Sequence, residues 1–294
     1  RVVGGGGCGQ VLLAVRDKEL FHASPQRFAV KVIHQSLLEE DKEQETSQAS
    51  KESFFKRFRR EGKTLEKLDH PNIVKLLEYD LDATKPYLVL EFIDGEDFHK
   101  LLRRYPQGMP PQLALELILP ICDALAYTHG QKEPIVHRDI KPANLMVTRE
   151  GVVKVTDYGL AYVSSETRLT GGNFIGTAQY APVEAFQSMP TPATDQYAVG
   201  LVLYEMLLGR PANPNDDGRM AANTAITGRL PKLSREAPDL GELAKVVERM
   251  YEHLPEKRFP TMRAAILALQ ATQIKGSKSP GPPSDPPATT SARQ

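Results

Sequence analysis

Five short runs in the first ninety residues are rich in β-branched and aromatic side chains and are separated by turn-forming residues. They are Val2–Val3, Val11–Val15, Phe28–Ile33, Ile73–Tyr79 and Tyr87–Phe92, and each reads as a strand. One amphipathic stretch interrupts them. Phe54–Leu68 carries Phe54, Phe58, Leu65 and Leu68 with charged residues between them, which predicts a helix. From about residue 96 the spacing becomes helical. Leu113, Leu117, Ile121, Ala124, Leu125 and Thr128 share one face of a helix over Leu113–Tyr127. Pro120 lies inside it, where proline should kink the axis at a cost of ~3 kcal/mol. Asp195–Leu208, Leu243–Leu254 and Thr261–Thr272 are further helical stretches. A strand-rich part followed by a helical part predicts an α+β fold of two lobes. One domain is expected over 1–272, with lobes 1–93 and 94–272 and a hinge near Glu91–Gly95. His34–Ser53 is acidic and has little to bury, and Lys275–Gln294 holds five prolines. Both are expected to be unstructured, the second as a linker or tail over 275–294.

Composition narrows the function classes. The chain has 294 residues, 40% of them apolar, enough for a sizeable core. Lys plus Arg (37) balance Asp plus Glu (37), so nothing points to a nucleic-acid partner. Cys8 and Cys122 form neither a disulfide framework nor a metal-binding spacing, which fits a reducing compartment. No apolar run reaches the ~18 residues of a membrane span. The first residue is Arg1 and no leader follows it. The expectation is a cytoplasmic portion of a longer chain, whose other parts can include a membrane tether or sensor domain.

Four stretches carry candidate chemistry. Gly4-Gly5-Gly6-Gly7-Cys8-Gly9-Gln10-Val11 lies between two strand-like runs, and bare backbone amides of this kind can approach phosphate oxygens. A dinucleotide site is disfavoured, since such a loop leads into a helix and Val11–Val15 reads as a strand. Lys31 sits at the centre of the apolar Phe28–Ile33. In isolation it fits an edge strand facing water, because a buried lysine needs a partner; Glu61, in the following helix, can supply one. His137-Arg138-Asp139-Ile140-Lys141-Pro142-Ala143-Asn144 packs many polar types into eight residues. There Asp139 can accept a hydroxyl proton, Lys141 can steady a transferring phosphoryl group and Asn144 can ligate a metal. Beyond two strand-like runs stands Asp157-Tyr158-Gly159. A carboxylate and an amide oxygen brought together by a hairpin suit a hard cation such as magnesium on a nucleotide.

In this order and spacing the motifs resemble the protein-kinase catalytic domain over residues 2–272. His70-Pro71-Asn72-Ile73-Val74, Gly176-Thr177-Ala178-Gln179-Tyr180, Asp195 and Arg258 complete the series. The resemblance implies that Gly4, Gly6 and Gly9 cover the ATP phosphates. Lys31 would hold the α- and β-phosphates and pair with Glu61. Asp139 would orient and deprotonate a substrate hydroxyl, and Asn144 and Asp157 would ligate Mg2+. Val11, Ala29 and Met146 would sandwich the adenine, with backbone groups of Glu91–Ile93 along its edge and Leu90 as gatekeeper. Leu65, Leu76, His137 and Tyr158 would stack between the lobes, Asp195 would anchor the catalytic loop, and Glu184 would pair with Arg258. Lys141 together with Thr177 matches the serine/threonine type, and the Gly176–Tyr180 wording is similar to bacterial members. The implied partners are ATP and a protein carrying Ser or Thr.

Arg138 beside Asp139 has a regulatory meaning in the family, since phosphate on the activation segment can neutralise it. Ser164, Ser165, Thr167 and Thr170 are the candidate acceptors. Departures from the pattern are Tyr158 where Phe is usual, Pro182 one place early, and a longer spacing from Lys31 to Glu61. Two rivals follow: a pseudokinase acting as an ATP-binding or scaffold module, and a small-molecule phosphotransferase. The complete set of polar motif residues argues against the first, and the Gly176–Glu184 segment against the second.

Overall fold

The computed structural model describes residues 2–6, 9–15, 27–33, 48–83, 85–158, 178–187, 190–215 and 217–272. Five strands, β1 (Val2–Gly6), β2 (Gly9–Val15), β3 (Arg27–Ile33), β4 (Leu76–Asp80) and β5 (Tyr87–Glu91), form one antiparallel sheet in the order β1-β2-β3-β5-β4. β3 is central, with Lys31 opposite Val11 on one side and Leu88 on the other. The edge-strand reading of Lys31 is therefore wrong, and burial obliges it to find charged partners.

α1 (Gln48–Leu65) lies between β3 and β4. It starts six residues before the expected Phe54, so residues 48–53 are helical and not part of an unstructured insert. Residues 34–47 lie outside the described ones. Its first turn is polar and carries no apolar period, which hides the start from pattern reading. Phe58 and Leu65 are buried, and Leu68 is buried in the turn beyond the helix. The expected strand Ile73–Tyr79 is shorter. Ile73 instead makes a single parallel bridge to Val155.

The hinge is tied to both lobes. Glu91 accepts from Lys75 N at 2.8 Å and from Lys154 Nζ at 2.6 Å. Asp94 lies 3.4 Å from both Arg27 and Arg149. Then β6 (Gly95–Asp97) pairs with β7 (Leu145–Thr148), which pairs with β8 (Val153–Val155) in a second, three-stranded sheet. A Cβ on Gly95 would fall 1.9 Å from Val147 O, so only glycine permits this approach.

The large lobe is helical: α2 (Phe98–Leu102), α3 (Pro111–His129), α4 (Val183–Phe186), α5 (Pro192–Leu208), α6 (Gly218–Thr227), α7 (Leu233–Glu236), α8 (Glu242–Met250) and α9 (Met262–Ala271). α3 continues through Pro120 as one helix. It buries more than the expected stripe, adding Ala114, Leu115, Ile118 and Cys122, because it packs between β8, α5 and α9. Burial pushes the Cys122 thiol up to about 12, which leaves it inert. α5 is buried nearly all round, as the core helix of a large lobe is. α8 ends at Met250, earlier than the expected Leu254.

Glu184 on α4 pairs with Arg258 through Nη1 at 2.6 Å and Nη2 at 3.2 Å, and the Arg258 side chain has no exposure. Arg258 also donates to the carbonyls of Ala193, Glu252 and His253. The pair thus fastens the segment after Tyr180 to the start of α5 and the loop before α9. Removing one partner leaves a charge buried alone. Arg258→Met should cost about 3–5 kcal/mol, and adding Glu184→Gln should recover part of it. Urea unfolding of both variants checks this. A loss for Arg258→Met no larger than that of an exposed ion pair would sink it.

Candidate active site

The site is assembled from β3, α1, the loop after α3 and the β7–β8 hairpin. Lys31, 7% exposed on β3, donates to Glu61 Oε1 of α1 at 2.8 Å and also pairs with Asp157 Oδ1. Burial acts to lower the Lys31 pKa, but Asp157 and Glu61 outweigh it and hold the ammonium above its ordinary value. Burial likewise acts to raise Asp157, and Lys31 more than reverses it, so the carboxylate stays ionised. Glu61 differs. Its Oε2 is buried without a partner among the described residues. Burial pushes its carboxyl up to about 7 against the pull of Lys31.

The loop between α3 and β7 carries the other group. Asp139 Oδ2 accepts from Lys141 Nζ at 2.7 Å and from Asn144 Nδ2 at 2.9 Å, and Asn144 Nδ2 also donates to Asp139 O at 2.8 Å. With its nitrogen engaged twice, Asn144 keeps the acceptor capacity of its side-chain oxygen for a further partner. Its backbone oxygen accepts from Thr156 N at 2.9 Å and Thr156 Oγ1 at 3.0 Å. That holds Asn144 beside the residue preceding Asp157. No group of three His, Cys, Asp or Glu converges among the described residues. An amide and a carboxylate oxygen alone suit magnesium, which keeps waters and phosphate oxygens as its remaining ligands.

Beneath the loop sits Asp195, 1% exposed, in the first turn of α5. It accepts from His137 N at 2.9 Å and Arg138 N at 2.8 Å, and lies 2.7 Å from His129 Nε2. Burial acts to raise its pKa, but His129, His137 and the Arg138 amide prevail and lower it. Arg138 has φ 71° and Asp157 φ 61°, a left-handed conformation uncommon outside glycine. The anchored amides of residues 137 and 138 hold the first of these. His137 Nε2 lies 2.9 Å from Thr156 O, and its ring meets the Tyr158 ring edge-on at 4.5 Å.

The polar positions Lys31, Glu61 and Asp157 come together, as do Asp139, Lys141 and Asn144 on the adjoining loop. Ala29 pairs across the sheet with the buried Leu90, and Val11 with Lys31. Met146 is half-buried on β7, and Ile93 is buried next to the hinge. Leu65, His137 and Tyr158 are buried, and Leu76 packs against the same core. Gly4, Gly6 and Gly9 lie in the paired β1 and β2; the tip of their loop, the acceptors Ser164, Ser165, Thr167 and Thr170, and Thr177 lie outside the described residues. The sequence reading missed the second partner of Lys31, the support of Asp195 by His129, and the Lys141–Asp139 contact. His129 offered a signal, being a polar residue at the end of an apolar helix.

This arrangement, a buried lysine held by two carboxylates between a small sheet lobe and a helical lobe, with Asp139, Lys141 and Asn144 linked on the adjoining loop, defines a protein kinase domain. The protein kinase domain family matches residues 1–268, and the chain belongs to that family. It is 34% identical over 284 residues to the serine/threonine-protein kinase PknB of Mycobacterium leprae, covering 92% of this chain and 42% of that protein. It is 31% identical over 245 residues to the serine/threonine-protein kinase PrkC of Bacillus subtilis, covering 82% and 34%. The chain thus spans less than half the length of these relatives. The crystal structure of the Mycobacterium tuberculosis PknI kinase domain shares the fold, with a TM-score of 0.67 and 23% identity over 92% of this chain and 94% of that one.

Two measurements probe the site. The Glu61 carboxyl is raised above its unfolded value, so its contribution to stability is fully present below about pH 4.5 and lost as pH rises through about 7. The melting temperature of the wild type minus that of Glu61→Gln should therefore fall between these values. A flat difference would show that Glu61 is ionised throughout. Separately, the Tyr158 hydroxyl is buried with only a weak contact to Thr128 and no partner in good hydrogen-bond geometry among the described residues. Tyr158→Phe should stabilise the protein by about 1 kcal/mol, a rise of ~2–4 °C. A fall in melting temperature would contradict this.

Proposed function

We propose that this chain is the catalytic domain of a serine/threonine protein kinase, transferring the γ-phosphoryl group of ATP to Ser or Thr hydroxyls of a protein. The observation that carries the reading is the buried Lys31 bound at once to Glu61 and Asp157, with Asp139, Lys141 and Asn144 linked on the adjoining loop. The kinase names of the relatives support the class. The domain runs over 1–272, with lobes meeting between residues 93 and 94; the expected linker or tail at 275–294 lies outside the described residues. It works in the cytoplasm, where ATP is supplied, and the longer protein can tether it to a membrane.

Each residue then has a task. Lys31, held upright by Glu61, takes the α- and β-phosphates, and its charge is kept by the two carboxylates. Gly4, Gly6 and Gly9 let the β1–β2 backbone close over the triphosphate. Val11, Ala29 and Met146 enclose the adenine, Leu90 limits the depth of its pocket, and the backbone of Glu91–Ile93 meets its edge. Asn144 and Asp157 present hard oxygens to magnesium, which when bound neutralises charge on the triphosphate. Asp139 takes the acceptor hydroxyl into its free hydrogen-bonding capacity, aligns it and receives its proton as the O–P bond forms and the bond to the ADP leaving oxygen breaks. Lys141, 2.7 Å from Asp139, is placed to meet the transferring phosphoryl oxygens. Positioning and charge neutralisation thus supply most of the rate enhancement. Autophosphorylation among Ser164, Ser165, Thr167 and Thr170 regulates the domain through Arg138.

Asp139→Asn and Lys31→Met should each reduce transfer from radiolabelled ATP to a generic basic protein by at least about a thousandfold, with the fold retained by circular dichroism. Mass spectrometry of the wild-type reaction should find phosphate in the 164–170 peptide. Near-normal transfer by Asp139→Asn would refute its role, and an unphosphorylated peptide would remove the regulatory part.

A further inference from the structure

Beside the C-terminal half of α1 the surface folds into a groove of about 670 Å³. Arg59, Arg60 and Lys63 of α1 and Lys67 of the turn that ends it form one wall. The irregular segment 131–136, with Lys132 and Glu133, forms the other, and Arg138 and the buried Tyr158 close the inner end. Six cations therefore line one recess against a single carboxylate, on a chain whose charges cancel as a whole. Arg59 is engaged by Asp82 at 2.8 Å. The exposed Lys63, Lys67 and Lys132 make no ion pair or side-chain hydrogen bond among the described residues.

We propose that this groove is a docking site for an acidic segment of a protein partner, gripped by Lys63, Lys67 and Lys132. Charge complementarity names the occupant: ammonium groups gathered in one recess without an ion pair among the described residues repel, and a run of Asp and Glu side chains relieves that repulsion. The shape favours a peptide. A membrane surface would need a convex or flat cationic face with apolar residues to insert. Single-stranded nucleic acid would need exposed rings for stacking, and the one aromatic residue at the groove, Tyr158, has no exposure. The gripping lysines are distinct from the phosphoryl-transfer residues, and the site goes beyond the proposed activity. Its location gives it a consequence, since α1 also carries Glu61. An occupant that braces the Lys63 turn braces the partner of Lys31.

The test uses a fluorescein-labelled octaglutamate peptide and fluorescence anisotropy with the whole chain at about 50 mM salt, where surface charge is weakly screened. Saturable binding is expected, weakening as salt rises. Lys63→Glu/Lys67→Glu/Lys132→Glu should weaken it at least about tenfold, while Lys245→Glu on α8 should leave it unchanged. If the triple reversal does not fold, the corresponding triple Gln variant replaces it and should weaken binding in the same direction. Transfer to a generic basic protein by the folded variant, measured without the peptide, should stay near wild type, so loss of docking and loss of kinase activity read out separately. Undiminished binding by the triple variant, an equal loss in Lys245→Glu, or tighter binding of an eight-residue oligothymidylate than of the peptide would each overturn the proposal.

Discussion

The buried ammonium of Lys31 is the constraint around which the rest is arranged. A central strand of an apolar sheet is a costly place for a charge, and the cost is offset by two carboxylates from different parts of the chain. Glu61 comes from α1 and Asp157 from the end of the β7–β8 hairpin. One side chain therefore sets the distance between a helix, a sheet and the other lobe. Moving the strand that carries Lys31 separates the ammonium from both carboxylates at once. The site is assembled because this electrostatic requirement is met in one arrangement.

The same logic repeats below it. Asp195 is buried and holds the loop through two backbone amides and His129, and Glu184 is held by Arg258. Both anchors are buried charges satisfied by several partners. They make the polypeptide beneath the site stiff, while α5, apolar nearly all round, supplies the bulk against which they are set. Preorganisation of Asp139 begins with this stiffness, since Asp139 follows immediately after the two anchored amides.

Much of this was legible before any coordinates. A lysine inside an apolar strand demanded an acid, and Glu61 on the next amphipathic segment was the available one. The dense polar run from His137 to Asn144 marked the loop, and the switch from strand-like to helical spacing marked the two lobes. Other features were not legible, for physical reasons. The start of α1 at Gln48 lies in polar residues that carry no hydrophobic period. β6 exists because Gly95–Asp97 pairs with β7, a tertiary choice without a local propensity signal. The bond from Lys31 to Asp157 joins residues 126 positions apart, and the left-handed backbone at Arg138 follows from anchoring, since arginine has no preference for it. The central placement of β3 excludes the edge position that Lys31 taken in isolation would fit, because strand order is fixed by the whole sheet.

The close approach of Gly95 to Val147 bears on how the lobes can move. A backbone pressed against its neighbour with no room for a methyl group cannot slide. It is clamped on its large-lobe side by the β6–β7 ladder, while Glu91 and Asp94 just upstream are held by groups of both lobes. The domain is thereby given a door pin in place of a loose strap, set at the short run of residues that joins β5 to β6.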